Sequence, residues 1–154
     1  MNEFMKEAIK LADANIRQGV GGPFGAVIVR DHTILAHGVN MVTSTNDPTA
    51  HAEIVAIRNA CTVLNSFSLS GCSIYINCEP CPMCLAAIYW AGIEKVYYAA
   101  TRKDAAEIGF ADNYIYDEIA KKTNQRTIPS RQLMRSEALT VFETWENLEG
   151  KIRY

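Results

Sequence analysis

Two short stretches constrain this chain more than anything else in it: His51-Ala52-Glu53 and the run Cys78-Glu79-Pro80-Cys81-Pro82-Met83-Cys84, whose Cys81 lies thirty residues after His51. His51, Cys81 and Cys84 offer one nitrogen and two sulfurs. That donor set suits zinc, which takes four ligands and in a catalytic site keeps one position for water. Cys81 and Cys84 are three apart, so in the first turn of a helix they lie on one side. Pro80 and Pro82 fit a helix start, where proline loses no needed hydrogen bond. His51 and Glu53 are two apart and would diverge on a regular helix, but side chains tilt toward a helix N-terminus, and a metal just off that end is within reach of both. The spacing therefore predicts a metal between two helix N-termini, whose positive dipole ends favour thiolates and hydroxide. Two thiolates neutralise a divalent ion and weaken its activation of water, which gives Glu53 its use as a general base.

Two other readings use the same residues. A structural zinc site closes with four protein ligands, and Cys78 is available as the fourth. A redox Cys-x-x-Cys needs no partner His-x-Glu. Cys78 reads as the end of the preceding strand and not as a ligand.

With 154 residues, 49% hydrophobic and 21% charged, the chain is sized for one domain with a substantial core. A formal net charge of −2 gives no electrostatic reason to expect nucleic-acid binding. Five cysteines raise the question of disulfides, but the metal accounts for two or three. Cys61 and Cys72 read as buried thiols, one on a helix's apolar face and one opening a strand. That usage predicts a reducing cytoplasm. The beginning Met1-Asn2-Glu3 carries no basic segment followed by an apolar run, and no apolar stretch is long enough to span a membrane.

Glu3 to Gln18 is predicted as an amphipathic helix stopped by Gly19. Gly21-Gly22-Pro23-Phe24-Gly25 is a loop that brings backbone close to something. Phe24 within it is either a core residue or an aromatic at a pocket rim that holds a planar base. Ala26 to Val29 is a short strand, Asp31-His32 a hairpin turn, and Thr33 to Asn40 the return strand with Ile34, Ala36, Gly38 and Asn40 on one face. Asn40 either forms a turn or offers a donor and an acceptor to a base. His32 and His37 are not needed as ligands. Met41 to Pro48 reads as a polar loop, and Ala50 to Leu64 as a helix with Ile54, Val55, Ile57, Arg58, Cys61 and Leu64 at helical spacing.

Cys72 to Asn77 is the next strand, followed by the cysteine loop, a helix through Leu85 to Ala91, and a strand over Ile93 to Ala99. The alternation argues for an α/β sandwich around a mixed sheet, with the site at strand ends beside helix N-termini. Short helices are predicted over Asp104 to Ile108 and Asn113 to Ala120, a polar connection over Lys121 to Ser130, and a last amphipathic helix over Leu139 to Leu148. The tail Lys151-Ile152-Arg153-Tyr154 has a composition suited to docking, against the ordinary expectation that a terminus frays.

The metal residues, Gly21 to Val27, Asn46 to Glu53, Ala86-Ala87-Ile88-Tyr89-Trp90, Asp104-Ala105-Ala106 with Gly109-Phe110, and Arg126-Thr127-Ile128-Pro129 together carry a resemblance over nearly the whole chain. The chain resembles the cytidine-deaminase-like zinc deaminases and, within them, the small bacterial guanine deaminases. The zinc motif is shared across the superfamily; the Gly109-Phe110 region and the tail turn the resemblance toward guanine. It implies a three-layer α/β/α sandwich with a central mixed sheet, Zn2+ as cofactor, a small-molecule purine as substrate, and a homodimer in which the C-terminal segment 130–154 of a single 1–154 domain is exchanged between subunits. It implies Asn40, Asp112 and Tyr154 as substrate contacts and Phe24 and Trp90 as aromatic walls. Ala111 stands where a second acidic residue would look familiar. The implied reaction holds guanine with C2 at the zinc, and Glu53 moves a proton from water to N3 and then to the departing amine.

Other substrates fit the same motif: guanosine, another base or nucleoside, or adenosine in transfer RNA. The RNA reading asks for a basic stripe, whereas the last helix carries Glu143, Glu146 and Glu149. A non-enzymatic zinc-stabilised domain would have no use for Glu53.

Overall fold

Helix α1 spans Glu3–Arg17, and Asn2 starts it by accepting the Met5 N–H on its Oδ1 at 3.0 Å. Gly19 follows it at φ 67°, the left-handed stop expected of a glycine there. Strands β1 (Gly25–Arg30) and β2 (Thr33–Val39) form an antiparallel hairpin. Asp31 and His32 both take positive φ at its tip, 49° and 60°, which matches the right-handed twist of the flanking strands. The computed structural model describes residues 2–153.

The hairpin departs from strict alternation. Ile28 pairs with Ala36 but Val29 with Ile34, so Leu35 is an extra residue on β2. The bulge turns Ile34 to the opposite face from Ala36. Ile34 packs with Val27, Val29 and Tyr75, while Leu35 and Ala36 pack with Ile28 and Ile74. The expected common face of Ile34, Ala36, Gly38 and Asn40 is thus broken at its first member.

The stretch expected as a loop over 41–48 contains a short helix, α2 (Val42–Thr45), closed by Asn46 at φ 53°. Helix α3 runs Ala52–Leu64 and α4 runs Pro82–Trp90. Strand β3 (Ser73–Cys78) pairs antiparallel with β1 and parallel with β4 (Lys95–Ala100), giving a mixed sheet of order β2-β1-β3-β4. On one face, α1 places Phe4, Met5 and Leu11 against Val27, Val29 and Tyr75. On the other, α3 and α4 bury Ala52, Ala56, Ala60, Ile88 and Ala91 against Ala26, Ile28, Ile74 and Ile76. This is the three-layer α/β/α sandwich.

The face α3 buries is its alanines, not the larger aliphatics picked out by spacing; Arg58 on that predicted stripe is exposed. Gly38 gives the reason. A Cβ there would lie 2.1 Å from the Ala52 carbonyl oxygen and 2.4 Å from the Ala56 nitrogen. The helix backbone rests directly on β2, and only small residues fit the seam.

Beyond the sheet, α5 (Arg102–Glu107) begins with a capping box between Thr101 and Asp104. Helix α6 (Asn113–Ala120) follows, then a single 3-10 turn at Thr123–Gln125 and α7 (Arg135–Glu146). The last helix starts four residues earlier than the apolar spacing predicts. Two compact units divide the chain, one up to Tyr114 and one from Ile115. Among the described residues of the second unit, no side chain is buried. No described helix is long and apolar enough to cross a membrane.

Candidate active site

His51 and Cys81 are N-cap residues of α3 and α4, both with extended backbone (φ −69°, ψ 157° and φ −69°, ψ 168°). His51 therefore lies outside the helix, and its spacing from Glu53 imposes no divergence. Pro82 occupies the first position of α4 as expected, and Cys84 stands in its first turn, its N–H donating to the Cys81 sulfur at 3.5 Å.

The His51 Nδ1 is 3.5 Å from the Cys81 Sγ and 3.5 Å from the Cys84 Sγ. Tetrahedral zinc with Zn–N and Zn–S bonds of about 2.05 and 2.3 Å requires N···S separations of about 3.6 Å. The three donor atoms all lie within 4.8 Å of one another, so the set fits a zinc ion without rearrangement. The contact with Cys84, supported by His51, holds the Cys81 thiol down at about 4. Its bond to Cys81 raises the His51 pKa, and the same sulfur contact together with burial drives the Cys84 thiol up. Without a metal one sulfur of the pair keeps its proton, and a divalent cation between them displaces it.

Cys78 stays apart from this group. It ends β3, buried, with its thiol directed to the Thr101 carbonyl oxygen at 3.7 Å and pushed up to about 11, chiefly by burial. All five cysteines are free thiols.

Glu53 sits one residue into α3, only 6% exposed, and burial raises its carboxyl to about 7. A carboxyl that gains and loses a proton near neutrality is matched to moving protons to and from a bound molecule.

Phe24 takes the first of its two expected roles, packing in the core. One side packs against the α3/α4 core cluster, and the ring meets Phe110 edge-on with centroids 4.9 Å apart and planes at 89°. Asn40 is buried, and its Oδ1 accepts the Gly22 N–H at 3.1 Å and the Val42 N–H at 3.3 Å. Its acceptor end is thus spent on the loop. Asp112 is half-buried, and its Oδ1 is shielded from solvent with no hydrogen-bond partner among the described residues. Burial, and then the negative Cys81 nearby, raise its carboxyl, while Arg102 opposes them. A shielded acceptor of this kind calls for a donor from a ligand or water.

Trp90 lies at the far end of α4 from the cysteines, eight residues or about 12 Å along the helix from Pro82, and is 75% exposed. Tyr154 lies outside the described residues.

Three features had no signal strong enough to be read from sequence. Glu79 accepts the Arg102 N–H at 3.1 Å and pairs with that guanidinium at 3.1 Å, tying the cysteine loop to the start of α5. Buried Asn15 donates through Nδ2 to the Gly22 and Asn40 carbonyls, both at 2.9 Å. Asn77 clamps the loop before β1. The one available hint was a polar amide closing the otherwise apolar run Ile74-Tyr75-Ile76.

A family model described as the cytidine and deoxycytidylate deaminase zinc-binding region matches residues 1–100. The chain is 54% identical over 151 residues to a guanine deaminase of Bacillus subtilis strain 168, covering 98% of this chain and 97% of the relative. A crystal structure of guanine deaminase from Bacillus subtilis superposes with a TM-score of 0.96 at 53% identity, covering 100% of this chain and 99% of the other. A tRNA-specific adenosine deaminase of Aquifex aeolicus is 42% identical over 100 residues, 65% of this chain and 66% of that protein.

Proposed function

Because the chain belongs to the family described as the cytidine and deoxycytidylate deaminase zinc-binding region, we propose that it catalyses the hydrolytic deamination of guanine to xanthine and ammonia, with Zn2+ as cofactor. The observation that carries the reaction type is a buried carboxyl, Glu53, beside a His/Cys/Cys donor set that leaves the fourth zinc position for water. The choice of guanine rests on likeness along the whole chain. The Bacillus subtilis guanine deaminase is 54% identical over 98% of the chain, whereas a tRNA-specific adenosine deaminase of Buchnera aphidicola that spans 97% of it is 32% identical.

His51 Nδ1 and the Cys81 and Cys84 sulfurs would hold the ion. Zinc bound there supplies the Lewis acidity that makes water a nucleophile at neutral pH. Glu53 would take a proton from the attacking water and deliver it to N3 as the oxygen adds at C2. It then carries the proton of the added hydroxyl to the exocyclic nitrogen, so that C2=O forms, the C2–N bond breaks and ammonia leaves. Phe24 forms an aromatic wall of the base site. Asn40 donates from Nδ2 to a ring acceptor, and the shielded Asp112 oxygen accepts from a guanine N–H. Trp90 is the second wall. The assignment of Tyr154 to substrate contact rests on family likeness alone. The working compartment is the reducing cytoplasm.

Ammonia release from a panel of compounds tests the assignment. Guanine should give a kcat/KM at least about 10²-fold above guanosine, cytosine and adenine, the discrimination available to a site whose buried polar groups are left unpaired by the wrong ligand. A higher value for guanosine would mean a pocket open around N9 and would overturn the choice of base.

The enzyme works as a homodimer that exchanges its C-terminal segment, expected at 130–154 and here part of the unit that begins at Ile115. Support comes from apolar surface that this chain leaves uncovered. In the second unit Val141, Phe142 and Leu148 are 64%, 67% and 51% exposed, and around α4 and the edge strand β4 Tyr89 and Tyr98 are 78% and 49% exposed. Monomers rarely leave so much large apolar surface in water. Truncation after Gly150, removing residues 151–154, should leave zinc content and melting intact and lower kcat/KM for guanine by about tenfold or more, a lost polar contact in a closed site. Unchanged kinetics would remove Tyr154 from the site.

A further inference from the structure

Phe24 sits on a four-residue segment, Gly21 to Phe24, that has no regular structure of its own and leads into β1. A ring used as a wall of a binding site must not wander, and such a segment would wander unless its backbone groups were tied down. Its flanks are tied by one side chain from a neighbouring strand. The Asn77 Nδ2 donates to the Pro23 carbonyl oxygen at 2.9 Å, and its Oδ1 accepts the Gly25 N–H at 2.9 Å. The two bonds grip the peptide groups immediately before and after Phe24.

Asn77 is well placed for this. β1 and β3 pair antiparallel through Ala26 and Ile76, so Asn77 is the position where the ladder would add its next pair. Its amide, with one donor and one acceptor, stands in for a strand's peptide group and carries the ladder onto the loop. An aliphatic residue, in keeping with Ile74 and Ile76, would leave the Pro23 carbonyl and the Gly25 N–H without these partners. On the other side of the ring, the Phe24 carbonyl accepts from the Asn40 N–H at 3.1 Å and its own N–H donates to Gly22 at 2.8 Å. Gly21 is pressed so close to Asn40 that a Cβ would lie 2.1 Å from the Asn40 carbonyl oxygen. The loop is therefore anchored on both sides, and Asn77 is the anchor from the strand that leads into the cysteine loop.

We infer that Asn77 is a positioning residue for base binding: by gripping the peptides on either side of Phe24, it holds that ring in place as a wall of the guanine site. The inference rests on the reading of Phe24 as a substrate contact, and the test separates the two.

Steady-state kinetics with guanine are measured for the wild type, Phe24→Ala, Asn77→Ala and the double variant, each checked for zinc content and melting. Asn77→Ala should raise KM about tenfold with kcat within about threefold and zinc unchanged. In the Phe24→Ala background the same substitution should change KM by less than about twofold, because the ring it holds is gone. A purely structural amide would instead lower melting and kcat to the same degree with or without Phe24. Should Asn77→Ala not fold, Asn77→Asp decides in the same way, since it keeps the acceptor for Gly25 and loses the donor to Pro23. A wild-type KM in Phe24→Ala overturns the role given to Phe24. A raised KM there, with an unchanged KM in the Asn77 variant or an equal Asn77 effect in both backgrounds, overturns the role given to Asn77.

Discussion

Glu53→Gln should retain about one equivalent of zinc per chain and lose about 10²- to 10⁴-fold in kcat for guanine, the span of general acid–base catalysis. The amide matches the carboxyl in shape and cannot relay protons. Glu53 is not one of the three donors that fit the ion, so metal content should not follow activity. Stability should not suffer either. Burial disfavours the ionised carboxylate, as its rise to about 7 records, and a neutral amide avoids that cost. Near-normal turnover in this variant would assign proton transfer to another group.

Cys84→Ala should behave in the opposite sense, losing zinc and activity together. Cys84 is fully buried, 3.5 Å from the His51 Nδ1, and its sulfur is one of three donors. Losing a direct ligand should weaken zinc binding by more than the roughly 10- to 100-fold typical of losing a ligand's supporting partner. Melting temperature should fall too, because affinity for the native state alone is stability. Cys78→Ala is the control: its thiol faces the Thr101 carbonyl from the end of β3, and the variant should keep its metal. Full zinc retention by Cys84→Ala, or zinc loss by Cys78→Ala, would redraw the ligand set.

Much of this arrangement was readable because a few residue types have few uses. A His, a Glu two residues on and a Pro-Cys-x-x-Cys admit little besides a metal at helix starts, and proline and glycine marked where α4 began and α1 stopped. Legibility failed where tertiary contact overrode local pattern. Alternation along β2 could not foretell an extra residue at Leu35, since a bulge is a property of the strand pair. Spacing in α3 pointed to its large aliphatics, because a hydrophobic pattern does not say which apolar face lies closest to a neighbour. Asn40 was recognised as chemically able to meet a base, but not that its oxygen was committed to Gly22 and Val42. Bonds between residues as distant as Asn77 and Pro23 leave no more trace than a polar amide closing an apolar run.

The seam between α3 and β2 has a mechanical consequence. It is made of Gly38, Ala52 and Ala56, which have no side-chain torsion beyond a methyl rotor, so it costs almost no rotamer entropy to form and holds no rotamers to redistribute. In an ordinary core, heat or a nearby substitution is absorbed by side chains hopping between wells. Here that compliance is missing. Ala52, the residue that follows His51, can move relative to the sheet only if the helix moves with it.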